Sequence, residues 1–95
     1  MKTEILKAIE LIDVDPCDFD HNYDWSRRTY AKCTKYVESE NYNIKVEFEE
    51  EVKWQATDYY DRIGITITEL KIIDENGTEH DTDIKDNEII NLINY

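Results

Sequence analysis

One segment, residues 43–54, restricts the fold of this chain more than any other. Its side chains alternate between apolar and charged with a period of two residues. The apolar positions are Ile44, Val46, Phe48, Val52 and Trp54, and the charged positions between them are Lys45, Glu47, Glu49, Glu51 and Lys53. This period is typical of a β-strand with one face on a core and the other in water. Glu50 falls within the apolar row, so we expect it to lie near a sheet edge or to pair with a basic residue.

Residues 26–38, which precede that strand, admit two interpretations. As a helix, the segment and the residue before it would form a stripe of Trp25, Thr29, Cys33, Tyr36 and Val37. As a strand, it would place its basic residues opposite the acidic strand that follows, where they could form ion pairs. Its threonine and tyrosine content favours the strand, which we predict.

An isoleucine-rich strand is predicted over residues 62–73, after a loop over residues 55–61. Its inner face is marked by Ile63, Ile65 and Ile67, and the apolar row continues in the opposite phase with Leu70 and Ile72. A slip of one residue indicates a β-bulge near Thr68-Glu69. The pair Asn76-Gly77 then predicts a tight turn, because both residue types tolerate positive φ, and a short return strand over residues 78–82.

A helix is predicted near each end of the chain. Residues 3–12 place Ile5, Ala8, Ile9 and Ile12 on one face, and Asp86 can cap a second helix. Between the first helix and the first strand, residues 13–24 form an acidic loop that Phe19 and Tyr23 pin to the body. The predicted fold class is α+β: one domain over residues 1–95, with an N-terminal and a C-terminal helix on a three- or four-stranded antiparallel meander.

The charge balance limits the kinds of partner. The chain has 23 acidic and 11 basic residues and a formal net charge of −12. Such a surface repels nucleic-acid phosphates and anionic lipids, so we expect no direct nucleic-acid binding and no membrane binding. A basic protein surface is the partner that the charge favours. The two cysteines are too few for a disulfide framework, which favours the cytoplasm.

The sequence contains no pattern of a catalytic, cofactor or metal site. Cys17, His21, Cys33 and His80 could be drawn as a zinc site, but zinc ligands usually come as two close pairs, and here only the first two are close. The aspartates of residues 13–24 lack the central glycine of a calcium loop. Neither cysteine has a nucleophile signature around it. We therefore predict a protein that is not an enzyme and needs no cofactor.

The remaining candidates for function are surface residues. Carboxylates at alternate positions of a strand lie ~7 Å apart on one face, comparable with successive phosphates of a nucleic-acid strand. Tyrosine is common as a rigid anchor in protein interfaces. The predicted partner-binding residues are Glu38, Glu40, Glu47, Glu49, Glu51, Asp58, Tyr59 and Tyr60.

Residues 44–95 combine an acidic alternating strand, a loop with tyrosine and aspartate, an Ile-rich strand, a short turn and an apolar C-terminal helix. In this they resemble small uncharacterised acidic proteins of tailed bacteriophages. The resemblance implies an accessory role in the host cell cytoplasm and supplies no catalytic residue. The hypothesis that follows is a nucleic-acid-mimicking inhibitor of a basic host or phage protein, such as a nuclease or a defence complex. A structural adaptor that forms a homo-oligomer, and a metal-binding protein or enzyme using residues 13–24, are the alternatives.

Overall fold

Three antiparallel strands in the order β1-β2-β3 form one sheet, and a short helix lies before it and another after it in the chain. The computed structural model describes residues 2–24 and 27–93. The elements are α1 (Lys2–Ile9), a 3-10 turn (Pro16–Asp18), β1 (Arg28–Glu38), β2 (Tyr42–Ala56), β3 (Tyr59–Asp74) and α2 (Asp86–Leu92). The α+β class with an antiparallel meander is confirmed.

The ambiguous segment before β2 is a strand, as predicted. β1 pairs with β2 in an unbroken register from Arg28 opposite Lys53 to Glu38 opposite Asn43. This register sets Lys32 directly across from Glu49, so opposite charges face each other on the outer side of the sheet. Ser26, the first residue of the predicted strand, and Trp25, from the alternative helical stripe, lie outside the described residues.

The predicted loop over residues 55–61 is wrong, because β2 and β3 continue toward each other until only Thr57 and Asp58 remain as the turn. Tyr60 pairs with Trp54, and their rings lie 4.8 Å apart in an edge-on arrangement. Aromatic cross-strand contacts of this kind stabilise a hairpin up to its turn.

The predicted bulge near Thr68 is confirmed: Glu47 pairs with Glu69 and Phe48 pairs with Ile67, which leaves Thr68 as the extra residue. A second register shift lies between the pairs Glu51–Gly64 and Val52–Arg62. It leaves Ile63 as the extra residue there, with 46% of its surface exposed. The prediction that Ile63 marks the inner face is therefore wrong.

The return strand predicted over residues 78–82 does not form. A single bridge joins Ile73 to Glu79, and the N–H of His80 donates to the carbonyl of Ile72 at 2.8 Å. The turn before it is present, with Gly77 at φ 83° and its N–H bonded to the Asp74 carbonyl at 3.0 Å.

One hydrophobic cluster contains residues of both helices and of the sheet. The predicted face of the first helix is buried, with Ile5 and Ile9 at 0% exposure, although the helix itself ends at Ile9 and not at residue 12. These side chains share the cluster with Phe48 of β2 and with Ile89 of α2. Asp86 does not cap α2 as predicted: the cap position is Lys85, whose N–H donates to Glu88 Oε2 at 2.9 Å.

Candidate functional site

The inner face of the sheet has a second buried region, centred on Glu50 of β2. This carboxylate side chain is 0% exposed, and it lies on the central strand of the sheet. Glu50 Oε2 accepts a hydrogen bond from Arg62 Nε at 2.7 Å and forms an ion pair with the same guanidinium. Its other oxygen, Oε1, lies 2.9 Å from His21 Nε2. Glu50 therefore pairs with basic residues, as expected, and does so away from any sheet edge.

The hydrogen bonds continue from His21 into β1 and back to β2. His21 Nδ1 lies 3.2 Å from Thr29 Oγ1, which accepts a hydrogen bond from Trp54 Nε1 at 3.0 Å. One proton arrangement satisfies every atom: the indole donates to the hydroxyl, the hydroxyl to Nδ1, and Nε2–H to the carboxylate of Glu50. We call His21, Thr29, Glu50, Trp54 and Arg62 the buried polar network.

Aromatic rings surround this network. Tyr60 lies against both His21 and Trp54, with ring centroids 5.5 Å and 4.8 Å away. Tyr23 packs edge-on against Trp54 at 5.3 Å, and Phe19 is buried in the adjoining cluster. The rings help to shield His21 and Glu50 from water, whereas Arg62 is 29% exposed. Every buried side-chain N or O atom among the described residues has a partner.

The network holds the loop before β1 onto the sheet. The side chains of His21 and Glu50 are 2% and 0% exposed, so neither offers an atom to a substrate in solution. The guanidinium of Arg62, on a side chain that is 29% exposed, connects the network to the surface. A buried and fully satisfied set of polar groups of this kind fixes one arrangement of the chain. The break in the apolar row pointed to Glu50, but no sequence pattern indicated that His21 would be its buried partner.

The residues considered for a zinc site lie apart. His21 belongs to the buried polar network, and His80 Nε2 lies 2.6 Å from Asp74 Oδ2. Cys17 is exposed, whereas Cys33 is buried on β1, where burial raises the pKa of its thiol. Within residues 2–24 and 27–93 no three His, Cys, Asp or Glu side chains are grouped as metal ligands.

The predicted partner-binding residues do not form one surface. Glu47, Glu49 and Glu51 lie on the outer face of the sheet. Glu38 and Glu40 lie at the β1–β2 end, whereas Asp58 and Tyr59 are exposed at the β2–β3 turn. The molecule is 47 Å long, and β2 separates these two ends. Tyr60 faces inward against the buried polar network.

Basic side chains neutralise much of the outer face. Glu51 Oε2 lies 3.1 Å from Arg28 and accepts a hydrogen bond from the Tyr30 hydroxyl at 3.0 Å, which raises the pKa of Tyr30. Glu47 lies 3.6 Å from Lys32. The hydroxyl of Thr68, which donates to Glu47 at 2.7 Å, lowers the pKa of that carboxyl. The face therefore carries mixed charges and not a row of carboxylates alone.

A row of carboxylates without ion pairs does lie beside β3. Along residues 79–84, Glu79, Asp81 and Asp83 are exposed, while His80, Thr82 and Ile84 between them are partly or fully buried. This alternation has the period of an extended chain. Among the ion pairs of the described residues, none includes these three carboxylates. We call Glu79, Asp81 and Asp83 the acidic row.

The acidic row is anchored at both ends. Glu79 forms the backbone bridge with Ile73, and His80 is held by Asp74, whose pKa is lowered mainly by that hydrogen bond. Ile84 is 9% exposed and belongs to the hydrophobic cluster. No described helix has the length and apolar composition needed to cross a bilayer. Comparison with protein-family models, curated proteins and solved structures gives no match to this chain.

Proposed function

We propose that this chain is a non-enzymatic binding module that covers a basic protein surface, with the acidic row as its main contact. The observation that carries the proposal is the outward direction of three carboxylates that no described basic side chain neutralises. Their neighbours Glu75 and Asp86 are also exposed and extend the negative surface.

The spacing of the row supports mimicry of a phosphate backbone. Alternate residues of an extended chain lie about 7 Å apart on one side, comparable with successive phosphates of a nucleic-acid strand. The backbone bridge at Glu79 and the burial of Ile84 hold the row in place. A pre-organised row loses less conformational entropy on binding than a flexible acidic tail does. A host or phage protein that uses a basic cleft for nucleic acid, such as a nuclease or a defence complex, fits this surface.

The long-range field supports the same kind of partner. A net charge of −12 attracts a basic protein from a distance and raises its association rate, an effect that salt screens. The outer face of the sheet contributes less, because three of its carboxylates are paired with Arg28, Lys32 and Lys45. Among the described carboxylates that β2 places on this face, Glu49 alone has no ion pair. The contact is thus proposed beside β3 and not on β2.

Affinity capture from a bacterial lysate tests the proposal with two variants of equal charge. One is Glu79→Gln/Asp81→Asn/Asp83→Asn, and the control is Glu47→Gln/Glu49→Gln/Glu51→Gln. Exposed ion pairs contribute about 0.2–1 kcal/mol each, so losing three should weaken binding roughly 3- to 150-fold. The control should bind nearly as well as the unchanged protein.

The captured partner should be released by duplex DNA and by raising salt from about 50 to about 300 mM, at which surface charges are strongly screened. If the acidic-row variant and the control bind the partner equally tightly, the acidic row is not the main contact. A partner indifferent to salt and to DNA would contradict charge mimicry altogether.

A further inference from the structure

The outer edge of β1 has backbone groups that no described strand covers. β1 is an edge strand, with β2 on one side. Trp54 N–H donates to the Arg27 carbonyl at 3.1 Å, and Ser39 N–H donates to the Tyr42 carbonyl at 2.8 Å. The backbone N–H and C=O groups of successive residues point to opposite sides of a strand. The odd-numbered residues of β1 therefore bond to β2, and the backbone groups of even-numbered residues 28–38 point away from it. In the described part of the chain, no backbone hydrogen bond outside the strand ladders reaches those six residues.

The two edges of the sheet differ. β3 has two bulges, at Ile63 and Thr68, and its last residues are covered by Glu79 and His80. Bulges and covering segments are the usual means by which proteins prevent edge-to-edge pairing. β1 has no register shift over its whole length of 11 residues. It is therefore the edge to which another strand can add.

We infer that the added strand is β1 of a second copy of this chain, antiparallel to the first and related to it by a two-fold axis at Cys33. In this register Arg28 lies opposite Glu38 of the second copy, so the strand has complementary charges at its two ends. Tyr30 lies opposite Tyr36 of the second copy, and both rings are exposed, at 60% and 75%. All outward-pointing residues of β1 then meet one another in hydrogen-bonded pairs.

Neighbouring registers fit less well. A shift of two residues in one direction brings the two Lys32 side chains opposite each other, and like charges in that position repel. A shift in the other direction moves Arg28 beyond the paired part of the strand. The side chain of Arg28 is 59% exposed and can move from Glu51 toward the second copy.

The product is a six-stranded sheet with both inner faces on the same side. Six pairs supply about twelve backbone hydrogen bonds, two per pair. The two acidic rows lie beside the outer strands, far from the new contact, so the dimer leaves both of them exposed. Each copy carries −12, so the copies repel at long range and added salt should not weaken the dimer. Salt should weaken binding to a basic partner, so the two proposals can fail separately.

Sedimentation equilibrium of the purified full chain at about 1–500 μM tests the inference. We expect a dimer, and we expect Arg28→Glu and Glu38→Arg each to weaken it roughly tenfold or more, because each places like charges at both ends of the contact. An equimolar mixture of the two variants restores both opposite-charge pairs and should dimerise. The double variant Arg28→Glu/Glu38→Arg should dimerise as well.

Glu40→Arg is the matched control, since it makes the same charge change just outside β1. Cross-linking supplies a measurement that does not depend on the variants. In the proposed register the two Cys33 Cα atoms lie about 4.5–5.5 Å apart, within the range of a disulfide. The oxidant diamide, which accepts the two hydrogen atoms, should therefore give a covalent dimer in a Cys17→Ser background.

A chain that stays monomeric up to 500 μM overturns the inference, as does a monomer that captures a foreign strand at β1. A dimer that neither single charge variant weakens, or that gives no Cys33 cross-link, overturns the register. Far-UV circular dichroism checks that each variant is folded. If Arg28→Glu were unfolded, Glu38→Arg and the Cys33 cross-link would still test the dimer and its register.

Discussion

Replacing Arg62 with methionine tests how much of the stability depends on the buried carboxylate of Glu50. The change keeps the aliphatic stem and removes the guanidinium that bonds Glu50 Oε2 at 2.7 Å. Removing one partner of a buried ion pair costs about 3–5 kcal/mol. Arg62 is 29% exposed, so water reaches its site and we expect the cost to be nearer about 2–3 kcal/mol. A domain of 95 residues has about 5–14 kcal/mol in total.

Urea unfolding measures this cost. With an m value of about 1.5 kcal/mol per molar, the midpoint should fall by roughly 1.3–2 M. The double variant Arg62→Met/Glu50→Met removes both charges and keeps the volume, and such replacements are often neutral. The double variant should therefore cost about 2 kcal/mol less than the sum of the single variants. Both variants that lack Glu50 also lose its hydrogen bond with His21 Nε2, so the cost of that loss cancels in the coupling between Arg62 and Glu50.

The pair Arg28–Glu51 is a matched control, because Glu51 follows Glu50 in sequence and points to the opposite face. Its N–O distance is 3.1 Å, and its side chains are 59% and 23% exposed. The same pair of methionine substitutions should give a coupling of about 0.2–1 kcal/mol. Equal couplings at the two pairs, both below about 1 kcal/mol, would show that Glu50 is not held as a desolvated charge.

Three further predictions concern single sites. Gly77→Ala should cost about 1 kcal/mol in thermal unfolding, because φ is +83°, whereas Gly64→Ala, with no atom within 4 Å of its added Cβ and no positive φ, should leave the stability equal or higher. The pKa of Glu4 is lowered, chiefly by the Ser39 hydroxyl. The ionised carboxylate therefore stabilises the fold above the unfolded pKa of 4.5, and this stabilisation is lost as the pH falls through the lower folded pKa. Glu4→Gln should lower the urea midpoint at pH 7 and should match the unchanged protein at about pH 2. A thiol reagent should modify exposed Cys17 before buried Cys33, whose pKa is raised by burial, and equal rates would contradict the burial of β1.

The alternation of residues 43–54 was enough to predict which side of β2 is buried, because a period of two requires a strand with two unlike faces. It also predicted that neighbouring basic residues would pair with the outer carboxylates. The position of the acidic row could not be predicted in the same way. Residues 78–82 alternate like a strand, but they form only the single bridge at Glu79. The outward direction of the acidic row depends on this bridge and on the burial of Ile84, which are tertiary contacts.

Arg62, the partner of Glu50, could not be predicted from the sequence for a different reason. If Ile63, Ile65 and Ile67 shared one face without interruption, Arg62 would point into water. The register shift between the pairs Glu51–Gly64 and Val52–Arg62 turns Arg62 to the inner side, next to Glu50. The bulge at Ile63 in β3 and the buried Glu50 in β2 therefore depend on each other. The bulge brings the guanidinium of Arg62 to the buried carboxylate of Glu50. A regular register would leave that carboxylate buried without the guanidinium, which costs free energy. A sequence pattern read one strand at a time cannot reveal this, because each irregularity is explained only by the other.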